Sequence, residues 1–192
     1  MGTLESDELL LERLTRGDQD AFETLFRRYG PQVYRAVYKL AGGPETAEDI
    51  LQETFLALFR QPPRRPMEAP LVAWLCRVAL NRGYNLLRTT QREEQRLAAW
   101  ETAPHAQEPD QAAIRREEQL AVRAALARLP ERQSRLLLLR HAGFSYSEIA
   151  AALELAPGSV GTMLVRAERA FLNIFQADRP AGHEDTQPTR ST

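Results

Sequence analysis

Thiols, imidazoles and long apolar runs are scarce in this 192-residue chain. Its one cysteine, Cys76, excludes an internal disulfide and any Cys-cluster metal site. The three histidines, His105, His141 and His183, are too far apart to form a ligand spacing. Neither a metal nor a cofactor is therefore expected. No apolar run approaches the roughly 20 residues that span a bilayer. The opening stretch, "MGTLESDELLLERL", is acidic where a signal peptide is basic and then apolar. The cytoplasm is the expected compartment, without membrane insertion. A phosphate-cradling glycine loop and a nucleophile–base pair are also missing, so an enzyme is not expected. Cys76, beside Trp74 and Leu75, leaves two readings: a small buried hydrophobe or a redox-sensitive thiol.

The chain that remains is 43% hydrophobic and 27% charged, the balance of a folded soluble protein. Its net charge of −1 argues against a free-standing, high-affinity nucleic-acid binder. Distribution says more than the sum. Arg60, Arg64, Arg65, Arg77, Arg82, Arg88, Arg92 and Arg96 face only Glu68, Glu93 and Glu94 in the same stretch. Nearly every basic residue is arginine, Lys39 being the single lysine.

Periodicity is helical, and nothing alternates with period two for long. Phe22, Leu25, Phe26 and Tyr29 make one apolar face, continued after Pro31 by Val33, Val37 and Leu40 until Gly42 and Gly43 stop it. Pro44 opens a second helix with carboxylates in its first turns. Ala47, Ile50, Leu51, Thr54, Phe55, Leu58 and Phe59 form its core-facing stripe. "RQPPRRPMEAP" is a proline-broken loop, and Pro70 starts a long helix reaching Leu97. The expected fold is all-α: two small helical domains joined by a flexible linker. Residues 1–98 form the first domain, 99–114 the linker, 115–176 the second domain, and 177–192 a disordered tail.

The second domain carries a helix-turn-helix pattern. Gly143 suits a helix C-terminus. Ser145 and Glu148 form a capping box, with Phe144 and Ile149 as the hydrophobic staple. A turn around 154–156 leads to Pro157 at the start of the next helix. There Val160, Leu164, Ala167 and Phe171 face the core, while Ser159, Thr162, Arg166 and Arg169 face outward. Such a block either reads DNA or is a helical hairpin serving only packing.

Taken in order, "DAFETLFRRYGPQVYRAVYKLAG", "AEDILQETFLALFR", "WLCRVALNRGYNLLR" and "LPERQSRLLLLRHAGFSYSEIAAALELAPGSVGTMLVRAERAF" resemble bacterial sigma factors of the extracytoplasmic-function group. The resemblance covers roughly 18–175. It implies an alternative sigma factor that binds core RNA polymerase, recognises −10 and −35 promoter elements and promotes DNA opening. It places Glu48, Asp49, Gln52 and Glu53 against the polymerase β′ coiled coil, with further contacts to the β subunit. The residues alone also admit a merely solvated acidic face, although Asp49 and Glu53 are a like-charged i, i+4 pair that a basic partner would relieve.

The helix after Pro70 matches the promoter-opening element, carrying Arg77, Asn81 and Arg88. Tyr84 joins them on our own reading, to stack on an unpaired base or to close the core. A stacked base is worth about 1–3 kcal/mol. The proline-broken loop matches the segment that captures a flipped −10 base, with Arg64 and Arg65 as phosphate contacts. Ser159, Thr162, Arg166 and Arg169 would meet the −35 element. Here the chain departs from the family pattern, having Gly161, Met163 and Val165 where relatives commonly place basic residues or His. Weak, shape-tolerant −35 contact follows, strengthened by tethering to polymerase. An anti-sigma factor is a further partner that the resemblance implies. A dimeric helix-turn-helix repressor, and a sigma-shaped adaptor without promoter activity, are the competing readings.

Overall fold

The computed structural model describes residues 5–63, 67, 69–98 and 111–177, excluding the side chains of 94, 95, 97, 98 and 111–116. The described residues form eight α-helices and one 3₁₀ turn, with no strand among them. α1 is Asp7–Thr15, α2 Gln19–Ala41, α3 Pro44–Arg60 and α4 Leu71–Ala98. The second set is α5 Gln111–Arg128, α6 Glu131–His141, α7 Tyr146–Leu153 and α8 Val160–Ala177.

Local chemistry fixes the helix ends. Ser6 caps α1 by accepting from Leu9 N at 3.3 Å, and Asp18 caps α2 by accepting from Asp20 N at 2.9 Å and Ala21 N at 3.3 Å. Arg13 bridges Asp18 and Glu5, clamping α1 against the start of α2. Asp7 takes Arg28 and the Tyr29 hydroxyl from α2. Burial first, and that carboxylate second, push the Tyr29 phenol up to about 12.

α2 runs unbroken through Pro31, which withholds only its own N–H from the ladder. It ends at Gly42, whose φ of 85° lies in the left-handed region glycine adopts readily. Pro44 is then at the first position of α3.

Leu25, Val33, Val37, Leu40, Ile50, Phe55, Leu58, Leu75 and Leu80 are buried where α2, α3 and α4 pack together. Gly83 lets α4 come close: an added Cβ would lie 2.8 Å from Leu40 Cδ2. Cys76 is fully buried, and burial raises its thiol far above the ordinary range. This favours the small-hydrophobe reading. Phe59 departs from expectation. It is 51% exposed, at the end of α3, with its ring perpendicular to that of Phe22 at 6.3 Å between centroids.

In the second set, α6 and α5 pack on α8, burying Leu126, Leu136, Leu139, Val160 and Leu164. α5 begins at Gln111, four residues before the expected boundary. The four residues Gln111-Ala112-Ala113-Ile114 favour helix once past Pro109. Residues 99–110 of the expected 99–114 linker, and the tail beyond 177, lie outside the described residues.

The two sets do not stand apart. One buried cluster runs from Leu10 to Leu164 across both. α7 lies on α4, while α5 and α6 lie on α2. Gln119 donates to Tyr38 Oη at 3.0 Å, and a Cβ on Gly42 would lie 2.5 Å from Arg123 Nη1.

Candidate polymerase and promoter surfaces

The stripe that buries α3 leaves its opposite face outside. Glu48, Asp49, Gln52 and Glu53 are all exposed on it. Glu53 pairs with Arg82 of α4, so that carboxylate is partly neutralised and held in place. Leu56 and Phe59 continue the same face at 45% and 51% exposure. Sequence reasoning missed Leu56 as a surface residue and gave Phe59 to the core. At a helix end the stripe no longer has helices on both sides to cover it.

On α4, helical spacing places Arg77, Asn81, Tyr84 and Arg88 on one side, and in the folded chain that side meets the C-terminal domain. Arg77 pairs with Glu154, just past α7. Asn81 Oδ1 accepts from Arg135 Nη2 at 2.7 Å. Arg88 pairs with Glu131 at 2.5 Å, and Arg135 Nε reaches the other oxygen of Glu131 at 2.9 Å. Burial would raise the Glu131 carboxyl, but its bonds to Arg135 and Arg88 win and hold it below its ordinary range.

Tyr84 requires a correction. It is 4% exposed, with the Arg135 guanidinium carbon 5.0 Å from its ring centroid. The ring cannot stack on a base in this arrangement, because α6 covers it. Burial pushes the phenol up to about 12, against the opposing influence of Ser134 and Arg135. Neither its oxygen nor Ser134 Oγ makes a hydrogen bond of good geometry. Arg92, beyond this contact, is exposed. Arg64 and Arg65 lie outside the described residues.

Trp74 is half-buried beside a cleft of about 590 Å³ between the start of α4 and α7. Met67, Ala69, Arg77, Ala151 and Leu155 also line it.

The helix-turn-helix forms as its local chemistry dictates. Ser145 Oγ accepts from Glu148 N at 3.3 Å, while Glu148 Oε2 accepts from Ser145 N at 2.8 Å. Phe144 and Ile149 are fully buried. α7 ends at Glu154 with φ 55° and ψ 51°, the one non-glycine among the described residues with positive φ. A 3₁₀ turn, Pro157–Ser159, leads into α8.

Thr162, Arg166 and Arg169 are exposed on α8, and Val165, 59% exposed, lies among them. Ser159 is half-buried, and its hydroxyl donates to Ala156 O at 2.8 Å, which leaves it only as an acceptor. Phe171 is half-buried and stacks with Phe175 at 5.5 Å. Among the described residues no His, Cys, Asp and Glu group is arranged to hold a metal. No single described helix is long and apolar enough to cross a membrane.

Both halves of the chain match those of a two-domain transcription initiation factor. Residues 25–93 match sigma-70 region 2, and residues 119–171 match sigma-70 region 4. RNA polymerase sigma factor CarQ of Myxococcus xanthus is 31% identical over 165 residues, covering 84% of this chain and 91% of that protein. RNA polymerase sigma-H factor of Pseudomonas aeruginosa is 29% identical over 187 residues, 92% of this chain and 97% of that one. ECF RNA polymerase sigma-E factor of Escherichia coli is 28% identical over 182 residues, 89% and 95% of the two chains.

Two solved structures share the fold. CnrH in complex with the cytosolic domain of CnrY has a TM-score of 0.65 at 24% identity, covering 91% of this chain and all of that one. The sigma factor RpoE of Bartonella quintana, in complex with the anti-sigma factor NepR, has a TM-score of 0.54 at 25% identity, covering 82% and 98%. The chain belongs to the RNA polymerase sigma factors, in their extracytoplasmic-function group.

Proposed function

We propose that this sigma factor divides its work among three surfaces. The exposed α3 face of Glu48, Asp49, Gln52 and Glu53, extended by Leu56 and Phe59, docks on a basic surface of the core polymerase β′ coiled coil. The β subunit takes further contacts. Arg77, Asn81 and Arg88 of α4, with Arg64 and Arg65 before it, hold the separated −10 strand through phosphate contacts and an amide that reads or orients a base. Thr162, Arg166 and Arg169 of α8 meet the −35 element, with Ser159 as a supporting acceptor. In this reading residues 1–98 serve polymerase and −10 DNA, and residues 115–176 serve the −35 element.

The observation that carries this reading is the separation of faces. The apolar stripes of α3 as far as Leu58 and of α8 as far as Ala167 are buried, leaving one acidic and one Arg-bearing polar face outside. An acidic face suits a basic protein partner, and the arginines suit phosphate.

Phosphodiester chemistry belongs to the polymerase; this chain positions and opens DNA without catalysis, metal or cofactor, in the cytoplasm. An anti-sigma factor is a further partner, supported by the partnered state of the related RpoE structure.

The test mixes the chain with sigma-free core polymerase and follows co-elution, then promoter binding. Core binding with promoter recognition is expected. Absence of co-elution, with core competent for another sigma factor, overturns it. Arg166→Ala with Arg169→Ala is expected to reduce promoter binding by the holoenzyme without affecting assembly.

A further inference from the structure

Gly161, Met163 and Val165 leave the leading end of α8 without positive charge, and the fold treats the three differently. Gly161 has the Tyr146 ring beside it, so that a Cβ there would lie 3.4 Å from Tyr146 Cε2. That ring is 48% exposed, with the Arg140 guanidinium carbon 5.6 Å from its centroid. Met163 is half-buried and packs against the core. Val165 alone of the three stands in solvent, at 59% exposure.

Val165 is not at the margin of the outer face. Thr162, Val165 and Arg169 follow one another at i, i+3, i+7, with Arg166 beside them, and all four are exposed. Val160, Leu164 and Ala167, on the opposite side, are buried. A branched apolar side chain is thus held among hydrogen-bonding ones, about one and a half turns into α8. Packing does not require it there.

The chemistry of the major groove supplies a reason. Base edges present donors and acceptors, and the apolar group among them is the C5 methyl of thymine. Valine can neither donate nor accept. Against guanine, adenine or cytosine it would strip water from polar atoms and return no hydrogen bond. Against the thymine methyl it buries apolar surface on both sides. Thr162, Arg166 and Arg169 can satisfy the neighbouring edges and phosphates. Two guanidiniums beside it suit a groove lined by phosphates.

We propose that Val165 reads the C5 methyl of a thymine in the −35 element, so that base selection there comes from an apolar contact. The flanking polar and basic residues fix the register of the helix in the groove. This deepens, and rests on, the assignment of α8 above.

The test uses holoenzyme, assembled from this chain and core polymerase, with duplexes it selects from a pool randomised across both promoter elements. In a selected duplex each upstream thymine is replaced in turn by deoxyuridine, which keeps the pairing and removes only the methyl. Binding is measured by competition at fixed salt. At one thymine the replacement should weaken wild-type binding about fourfold, the factor that one buried methyl group supplies. Val165→Ser should bind the unmodified duplex about fourfold more weakly and be indifferent to that deoxyuridine. Serine and valine have similar helix propensities and the position is exposed, so the fold is kept.

Wild-type indifference to every deoxyuridine would overturn the contact, as would an undiminished penalty in Val165→Ser. Loss of core assembly in Val165→Ser, with the deoxyuridine penalty kept, would give the side chain to a protein partner instead. Arg166→Ala with Arg169→Ala separates the two levels of the argument. If that variant loses promoter affinity while deoxyuridine is silent, only the methyl contact falls. If it binds promoter like wild type, the −35 assignment of α8 falls and takes the methyl contact with it.

Discussion

Replacing Glu154 by glycine sets a backbone effect against a side-chain effect. A left-handed conformation costs a residue with a β-carbon about 1–2 kcal/mol. Glycine escapes that cost but loses about 0.5–1 kcal/mol more on folding through its greater freedom. The expected backbone gain is therefore about 0.5–1 kcal/mol. Against it stands the ion pair with Arg77, whose side chains are 75% and 36% exposed for Glu154 and Arg77. So exposed a pair contributes about 0.2–1 kcal/mol.

In the wild-type background the two effects nearly cancel. In an Arg77→Gln background the pair is already absent, and Glu154→Gly should stabilise by the full backbone amount. At about 2–4 °C per kcal/mol for a chain of this size, that is a rise of about 1–4 °C. The assay is urea and thermal unfolding of the four proteins of the cycle, which isolates the coupling. An equal gain in both backgrounds would show that the pair has no energetic consequence. A loss in the Arg77→Gln background would refute the strain at Glu154 itself.

Asp49→Arg with Glu53→Arg should abolish co-elution with core polymerase while the circular dichroism of the free chain is unchanged, since both residues are exposed. Ser145→Ala removes the acceptor for Glu148 N and should cost about 1 kcal/mol, against a few tenths for Ser145→Gly, read by chemical denaturation. Leu164→Ala should destabilise by about 2–5 kcal/mol, because that side chain is buried between α8 and its neighbours. The Glu131 carboxyl is depressed in the folded chain, so its stabilisation is full above its unfolded value and disappears as pH falls through the folded one. Acid titration of wild type should therefore show a loss of stability below the ordinary carboxylate range that is smaller in Glu131→Gln.

Much of the local structure was legible because its causes are local. The stripe from Ala47 to Leu58, the Gly42-Gly43-Pro44 break and the Ser145–Glu148 box each lie within a few turns of sequence. The acidic face of α3 followed by subtraction from its buried stripe. The interdomain contact left no such trace. Arg77 and Glu154 are 77 residues apart, and neither belongs to a periodic pattern that would announce the other. For that reason the spacing of Tyr84 with Arg77 and Arg88 leaves an open face and a core place equally open, and only the position of α6 decides for the core. Phe59 failed differently: its spacing is that of a core residue, but the packing partners end before it does. The outward phase of Ser159 says nothing of the turn carbonyl that accepts its hydrogen bond.

The single thiol has a practical consequence. Cys76 is completely enclosed, and its environment suppresses the thiolate that electrophiles attack. In the folded chain it should be silent to maleimide reagents, so a cysteine introduced at an exposed site on each domain would be the sole target for a dye. The native sequence is thus already a background for paired fluorescent probes, with no cysteine needing removal before the distance between domains is followed in single molecules.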